Sequence, residues 1–415
     1  MQNFYSYWQE FTDNSQKILL LQGPVGPFFL NLKHYLTVKC GKRVFKINFN
    51  GGDDYYYPVA EDALNYRGTV AQFEHFLSEF IEKEQIDAVV CFGDNRIYHR
   101  IARDYCMTVG CSFWAFEEGY LRPHYITFEK WGVNYSSQIA RDATMYDATS
   151  SDFVLAGKLN FKRYQPRPVA SGFWKRAGFA SRYYFELWRQ EKAFPAYQHH
   201  REKRLYIYAS AWLKAGFSSF IHGFKDRKIE RQIVNKTLAP FFIFPLQVHN
   251  DSQIRQHGRG KSVSQHLRSV INSFAEFAPQ NTHLVIKHHP MDKGFSDYSC
   301  FIKKLAKKRG VYERVHYVFD VPMPIFLRKA KGMVVVNSTT GISALIHSLP
   351  VKVIGDAHYD IPGLTSRQSL AQFWQNPESP NHEKVEYYLH YLRAMTQLNG
   401  SFYHRTLTIA EFNTI

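Results

Sequence analysis

Cysteine is scarce in this chain, and what there is does not pair. Cys40, Cys91, Cys106, Cys111 and Cys300 make five, an odd number. Cys106 and Cys111 stand five apart and no second pair answers them. Neither a disulfide framework nor a cysteine zinc site fits that spacing, and reduced thiols of a cytosolic protein do. Long hydrophobic runs are also missing, since none approaches the ~20 residues that span a bilayer. The stretch from Met1 to Asp13 is polar and acidic and lacks the basic-then-apolar pattern of a secretory leader. No short-period repeat and no low-complexity tract interrupts the chain.

What is present is apolar, aromatic and basic. At 415 residues and 45% hydrophobic, the chain has material for two domains with substantial cores. Its 34 Phe and 27 Tyr are a high aromatic load. A net charge of +16 favours an anionic partner, whether nucleic acid, anionic lipid or a phosphorylated substrate. The excess concentrates between Lys158 and Arg204, where twelve Lys/Arg face three acidic residues and eleven Phe, Tyr and Trp residues are interleaved. Basic residues mixed with rings suit a membrane surface, and equally an ordinary helical face whose rings belong to the core. No nucleic-acid-binding module is visible, so nucleic acid is not expected as a partner.

Strand-like and helix-like segments alternate. Apolar runs at 17–22, 43–49, 86–92 and 111–116 read as strands, separated by helical patterns at 28–39, 66–84 and 95–107. After the basic segment the rhythm resumes, with strands at 241–248, 283–287, 315–319, 332–336 and 351–354 and helices between them. This predicts an α/β fold with parallel sheets, organised as an N-terminal Rossmann-like acceptor-side domain over 1–150 and a basic aromatic helical segment over 151–235. A C-terminal Rossmann-like nucleotide-binding domain follows over 236–360, then C-terminal helices over 361–415. Two such domains facing across a cleft make the GT-B arrangement.

Polar motifs stand at the strand ends, where open α/β sheets bind ligands. Glu117 and Glu118 are adjacent on an extended segment, so their side chains point to opposite sides. A carboxyl half-buried among Phe113, Trp114, Phe116 and Tyr120 would have a raised pKa and suit proton transfer, with Glu118, beside the Gly119 turn, favoured. Arg122 could instead pair with one of the two. Lys287, His288, His289 and Pro290 concentrate cationic and hydrogen-bonding groups at one strand end. With His283 and Asp292 they could hold a metal, but no carboxylate-rich set supports one, and Asp53-Asp54 are adjacent within a Gly/Tyr-rich loop. Asn337, Ser338, Thr339 and Thr340 precede a helix and combine hydroxyls with helix-start N–H groups, as an anion site or simply a cap. The polar burst that carries Gln247, Asp251 and Gln253 offers a carboxylate nucleophile, or a helix cap. Gly23 and Gly26 flank a turn that reads as a plain tight turn or as an acceptor-side wall. The order of these motifs suggests transfer of a sugar from a nucleotide.

The segments FEEGYLRP (116–123), FPLQVHNDSQI (244–254), IKHHP (286–290) and VNSTTGISALIHSLPVKVIG (336–355) resemble capsule polysaccharide biosynthesis proteins of the β-Kdo transferase type. The resemblance runs from Gln22 to about Gly363, and the size matches single-module members. It implies a GT-B enzyme in the bacterial cytoplasm, peripheral on the inner membrane. It also implies retaining transfer of Kdo from CMP-Kdo to a lysophosphatidylglycerol acceptor, with other capsule assembly proteins as partners and no metal or other cofactor. The trio of Glu-Glu-Gly, His-Pro and Ser-Thr-Thr is also similar to bacterial sialyltransferases. There the acidic pair supplies the catalytic carboxyl, His-Pro contacts the nucleotide and the hydroxyls take the phosphate. The Asp251 segment is the departure from that inverting family and agrees with retention. The alternatives are a CMP-sialic acid or other CMP-sugar transferase, and a non-catalytic capsule assembly or export protein.

Overall fold

Runs that are apolar at every position make strands buried on both faces, and here they build two sheets with parallel centres. The computed structural model describes residues 6–147, 166–169, 173–199, 223–248 and 261–403. Over those residues the chain divides into two compact units. One comprises Met1–Ile139, Val154–Leu205 and His390–Ile415, the other Ala140–Phe153 and Tyr206–Leu389.

The first unit holds helices α1 (Tyr7–Asn14), α2 (Phe28–Cys40), α3 (Gly51–Tyr56), α4 (Val70–Glu84), α5 (Ile97–Val109) and α6 (Phe173–Arg189). Its strands are β1 (Lys17–Leu20), β2 (Arg43–Asn48), β3 (Ala63–Asn65), β4 (Ala88–Phe92), β5 (Ser112–Glu118) and β6 (Tyr125–Lys130). They form a sheet in the order β12-β6-β5-β4-β1-β2-β3, where β12 is Gln397–Asn399. The run β3-β2-β1-β4-β5 is parallel, and β6 and β12 add antiparallel edges. Period-two alternation divides the strand residues between two cores. Leu19, Ile47, Val89 and Phe113 pack on one face, and Ile18, Val44, Val90 and Trp114 on the other.

The second unit carries α7 (223–234), β7 (Phe241–Pro245), α8 (Val263–Phe277), β8 (His283–Lys287), α9 (Ser299–Lys308) and β9 (Val315–Val318). It continues through α10 (Met323–Leu327), β10 (Gly332–Val335), α11 (Thr340–Ile346), β11 (Val351–Val353) and α12 (Leu370–Gln375). Its sheet is wholly parallel, in the order β11-β10-β7-β8-β9. In both units the central order is that of a Rossmann half, with the strand order reversing beside the first strand. The α/β class and the paired Rossmann-like sheets of a GT-B chain are therefore what the sequence pattern predicts. Ser/Thr-x-x-Gln capping boxes start α1, α4, α8 and α12.

Several elements differ from the sequence expectation. The C-terminal segment is not only helical. Helix α13 (His382–Thr396) ends three residues short of the expected Asn399, and those residues form β12, paired with β6. Residues 361–389 belong to the second unit, and that unit also takes in the chain from Ala140. The loop expected around Asp53-Asp54 is helix α3. Asn50 caps it by accepting from Gly52 and Asp53 N–H at 2.8 and 3.1 Å. Of the basic aromatic segment, residues 166–169, α6 with the residues just after it, and α7 are described. Its rings divide: Tyr183, Phe194 and Tyr197 join the core, while others on α6 face outward.

Helix α6 packs against α3 where glycine alone fits. A Cβ on Gly52 would stand 2.6 Å from the Tyr183 ring. Gly52→Ala is therefore expected to destabilise the first unit by ~1–3 kcal/mol. Urea unfolding followed by far-UV circular dichroism checks this, and an unchanged midpoint would mean that α6 yields freely.

Candidate active site

Strand β5 delivers Glu117 and Glu118 to its C-terminal end, paired opposite Thr127 and Ile126 of β6. Gly119 follows the strand at a place where a Cβ would collide with the Tyr125 carbonyl. The two carboxyls do face different surroundings. Glu117 is half-buried, and its Oε1 accepts the Glu118 N–H at 2.9 Å. Desolvation pushes it up to about 7, the Glu118 N–H opposes this, and the nearby charges of Glu118 and Asp94 add to the rise. Glu118 is ion-paired instead. Its Oε1 lies 3.4 Å from Arg176 Nη2 on α6 and accepts from the Tyr403 hydroxyl at 3.4 Å. Burial thus raises Glu117, while Glu118, which the sequence reading favoured, is the ion-paired member of the two. Arg122 pairs with neither, and its Nε donates to the Gly119 carbonyl at 3.2 Å.

Two further buried carboxyls adjoin this strand end. Asp94 follows β4, and its Oδ2 accepts from Val133 N–H at 3.3 Å, with Arg103 at 3.7 Å. Glu129 on β6 accepts from the Tyr120 hydroxyl at 2.6 Å and from Ser137, and desolvation lifts it to about 8. Sequence reasoning missed Asp94, although it obeys the same strand-end rule. Arg176 and Tyr403 arrive from remote segments and give no local signal. Gly23 and Gly26 behave as a packed turn. A Cβ on Gly23 would meet Phe29 at 2.9 Å, and Gly26, with φ +112°, lies under Phe179 of α6.

In the second unit the strand-order reversal lies between β7 and β10. Gln247, two residues past β7, donates through Nε2 to Asn337 Oδ1 at 2.7 Å, just past β10. Its Oε1 is buried without a hydrogen-bond partner. At the neighbouring end of β8 the basic cluster is less cationic than its sequence suggests. Lys287 is buried, donates to the Phe319 carbonyl at 3.2 Å, and is pushed down to about 8 by desolvation. His288 is buried with Nδ1 2.6 Å from the Tyr317 hydroxyl, and burial lowers its pKa, so it is neutral at pH 7. His289 is half-buried and Pro290 exposed. Asp226 of α7 accepts Phe319 and Asp320 N–H at 3.0 and 2.6 Å, fixing the end of β9 beside them. His283 faces His316 at 2.7 Å rather than the Lys287–Pro290 turn.

Ser338, Thr339 and Thr340 are half-buried. The helix they precede, α11, is short, and its first amides are used internally. Thr340 N–H donates to Ser338 Oγ at 3.2 Å, and Gly341 and Ile342 N–H to the Ser338 and Thr339 carbonyls at 3.0 Å. Tyr359 holds the turn by donating to the Ser338 carbonyl, and its ring leaves no room for a Cβ on Gly341. What this turn offers a ligand is hydroxyls more than a helix end. Asp251 and Gln253 lie outside the described residues. Among the described residues no three His, Cys, Asp or Glu side chains converge as metal ligands.

These strand ends fall within one family signature. The model of capsule polysaccharide biosynthesis proteins matches residues 87–403. The chain belongs to this family. The family match runs from the start of β4 to Tyr403, and so includes Asp94, both glutamates, Arg176 and the whole β7–β10 edge. A family relative, the capsule polysaccharide modification protein LipB of Neisseria meningitidis serogroup B, is 46% identical over 400 residues, 95% of this chain and 93% of its own. The capsule polysaccharide export protein KpsS of Escherichia coli is 39% identical over 390 residues, 94% and 97% of the two chains. Among solved structures, the KpsC β-Kdo 2,4 transferase of Thermosulfurimonas dismutans aligns with a TM-score of 0.41 at 15% identity, over 88% of this chain and 89% of that one.

The raised carboxyls have a thermodynamic consequence. Between the ordinary glutamate range and about 7 to 8, native Glu117 and Glu129 hold protons that the unfolded chain has released. Stability therefore falls as pH rises through that window and levels off above it. Buried histidines and lysines held below their ordinary pKa act with the opposite sign, so the readout is the Tm of the parent minus that of Glu117→Gln/Glu129→Gln, which is expected to decline from pH 5 to 9. A rising or unchanged difference would refute the assignment.

Proposed function

We propose that this chain is a retaining glycosyltransferase of capsule assembly that moves Kdo from CMP-Kdo to lysophosphatidylglycerol at the cytoplasmic face of the inner membrane. The observation that carries the reading is the strand-order reversal of the second unit. There Gln247, Asn337 and the Ser338–Thr340 hydroxyls gather at the carboxyl ends of parallel strands, the place where this architecture takes nucleotides. The glutamate held near neutrality on the first unit supports the acid/base half of the reaction. The names of the LipB and KpsS relatives support a role in capsule assembly.

In this reading Asp251 attacks the anomeric carbon of Kdo, the bond to the CMP phosphate breaks, and CMP leaves with the electron pair. Lys287, His289 and the hydroxyls of Ser338, Thr339 and Thr340 offset its charge, with no metal ion. An acceptor hydroxyl then displaces Asp251 from the anomeric carbon and gives its proton to Glu117. Gln253 lies beside the nucleophile in sequence, and Gly23, Gly26 and Arg122 shape the first-unit edge rather than react.

The experiment is mass spectrometry of lysophosphatidylglycerol after incubation with the protein and CMP-Kdo generated in situ. A gain of one Kdo is expected, with the anomeric configuration read by NMR. Asp251→Asn should abolish turnover, and Glu117→Gln should lower kcat by roughly 10²–10⁴ while Glu118→Gln loses less. Turnover in the parent should rise with pH through about 7, as a base demands. No product with CMP binding intact points to another CMP-sugar, such as CMP-sialic acid, or another acceptor. Neither product nor CMP binding would favour a non-catalytic assembly or export role.

A further inference from the structure

Helix α6 has two faces of opposite character. Its inner face is fully committed. Tyr183, Glu186 and Leu187 are buried, and the Tyr183 hydroxyl donates to Asp53 Oδ1 at 3.0 Å and accepts from Asn50 at 2.9 Å. The outer face is aromatic. Trp188 is 55% exposed, Phe185 43% and Trp174 84%. At 3.6 residues per turn, positions 174, 181, 185 and 188 fall on one stripe. Phe185 and Trp188 lie with ring centroids 5.9 Å apart, making one surface feature. Exposed arginines border the stripe. Arg182 and Arg189 reach the buried Glu186 at 2.8 and 2.6 Å, so two cations flank one carboxylate. The guanidinium of Arg182 also lies 5.6 Å from the Phe185 ring. Lys175 and the exposed Lys192 extend the positive rim.

We infer that the outer face of α6 docks this protein on an anionic phospholipid bilayer, Trp188, Phe185 and Trp174 entering the interface and Lys175, Arg182, Arg189 and Lys192 meeting headgroup phosphates. A core-facing helix buries its rings, and this one already has a filled inner face, so the outer rings are not displaced core residues. Tryptophan beside arginine is the composition that interfacial helices use, and the chain's +16 charge suits an anionic surface. The same helix also reaches the candidate site, because Arg176, on the side of α6 away from Trp174, pairs with Glu118 at the end of β5. The inference deepens the proposed function by naming the surface through which the acceptor's membrane is met.

The test is co-sedimentation of the full chain with phosphatidylglycerol/phosphatidylcholine vesicles and with phosphatidylcholine vesicles alone. Binding is expected to the anionic vesicles, weakening with added salt. Phe185→Ser with Trp188→Ser is expected to lower the partition coefficient about tenfold or more. Lys175→Glu with Lys192→Glu should lower it by at least about tenfold, since each basic residue contributes roughly fivefold at such a surface. Unchanged far-UV circular dichroism shows that the variants fold. Quenching of tryptophan emission by brominated lipid should diminish in Trp188→Phe. No vesicle binding by the parent, or binding indifferent to these substitutions, overturns the inference. Turnover on lysophosphatidylglycerol dispersed as monomers separates the two readings. The Ser variant keeps that turnover if only docking is lost, and a parent that binds vesicles without turnover overturns the transferase reading alone.

Discussion

A buried carboxylate, Asp53, fixes much of the first unit. A charge removed from water must be met by donors, and Asp53 is met from four directions. Gln22 and Asn50 side chains approach Oδ2 at 3.2 Å, Phe49 N–H donates to it at 3.1 Å, and the Tyr183 hydroxyl donates to Oδ1 at 3.0 Å. Three of these donors come from the ends of β1 and β2, and the fourth comes from α6, 130 residues away. The geometry therefore permits one position of α6 along the sheet. That position sets Arg176 against Glu118, leaves Glu117 as the unpaired and desolvated member of the pair, and turns the helix's outer rings away from the core.

The same network explains why two sheets of like topology serve different ends. In the first unit the strand-order reversal lies beside β1, and Gln22 at that place is held by Asp53, Tyr183 and Tyr197. Protein side chains occupy the polar groups a nucleotide would use. In the second unit the corresponding residues are Gln247 and Asn337, and the buried Gln247 Oε1 and His288 Nε2 find no hydrogen-bond partner. Unsatisfied polar atoms at a strand-end crevice are costly in an empty protein and are retained where a ligand supplies the missing bond. The two reversal points thus differ in that the first is filled by the chain's own tyrosines.

The parallel strands were legible because each is an apolar run closed by turn residues, and the capping boxes mark helix starts in the letters themselves. Helix α3 was not, since Gly51-Gly52-Asp53-Asp54 has little helical propensity and depends on Asn50 and on α6. Strands β6 and β12 were missed because antiparallel pairing between residues far apart leaves no local period. At the site, the aromatic setting of the Glu-Glu pair announced a raised carboxyl. Which glutamate it would be depended on Arg176 and Tyr403, and nothing near residue 118 points to them. The Lys-His-His run looked strongly cationic in one dimension, yet burial withdraws His288 from that role and leaves the charge to Lys287, which it lowers only to about 8.

Strand β12 makes the first unit discontinuous in time as well as in sequence. Gln397 donates to Thr127, 270 residues earlier, and accepts Tyr120 N–H at 2.9 Å, so it closes the turn that follows the Glu-Glu pair. At ribosomal rates of about 5–20 residues per second, β6 waits on the order of 15–55 s for its partner. During that interval a nascent chain carries an open sheet edge beside Glu117 and Glu118 while the second unit is made. The turn that follows the Glu-Glu pair cannot close before the returning tail has emerged.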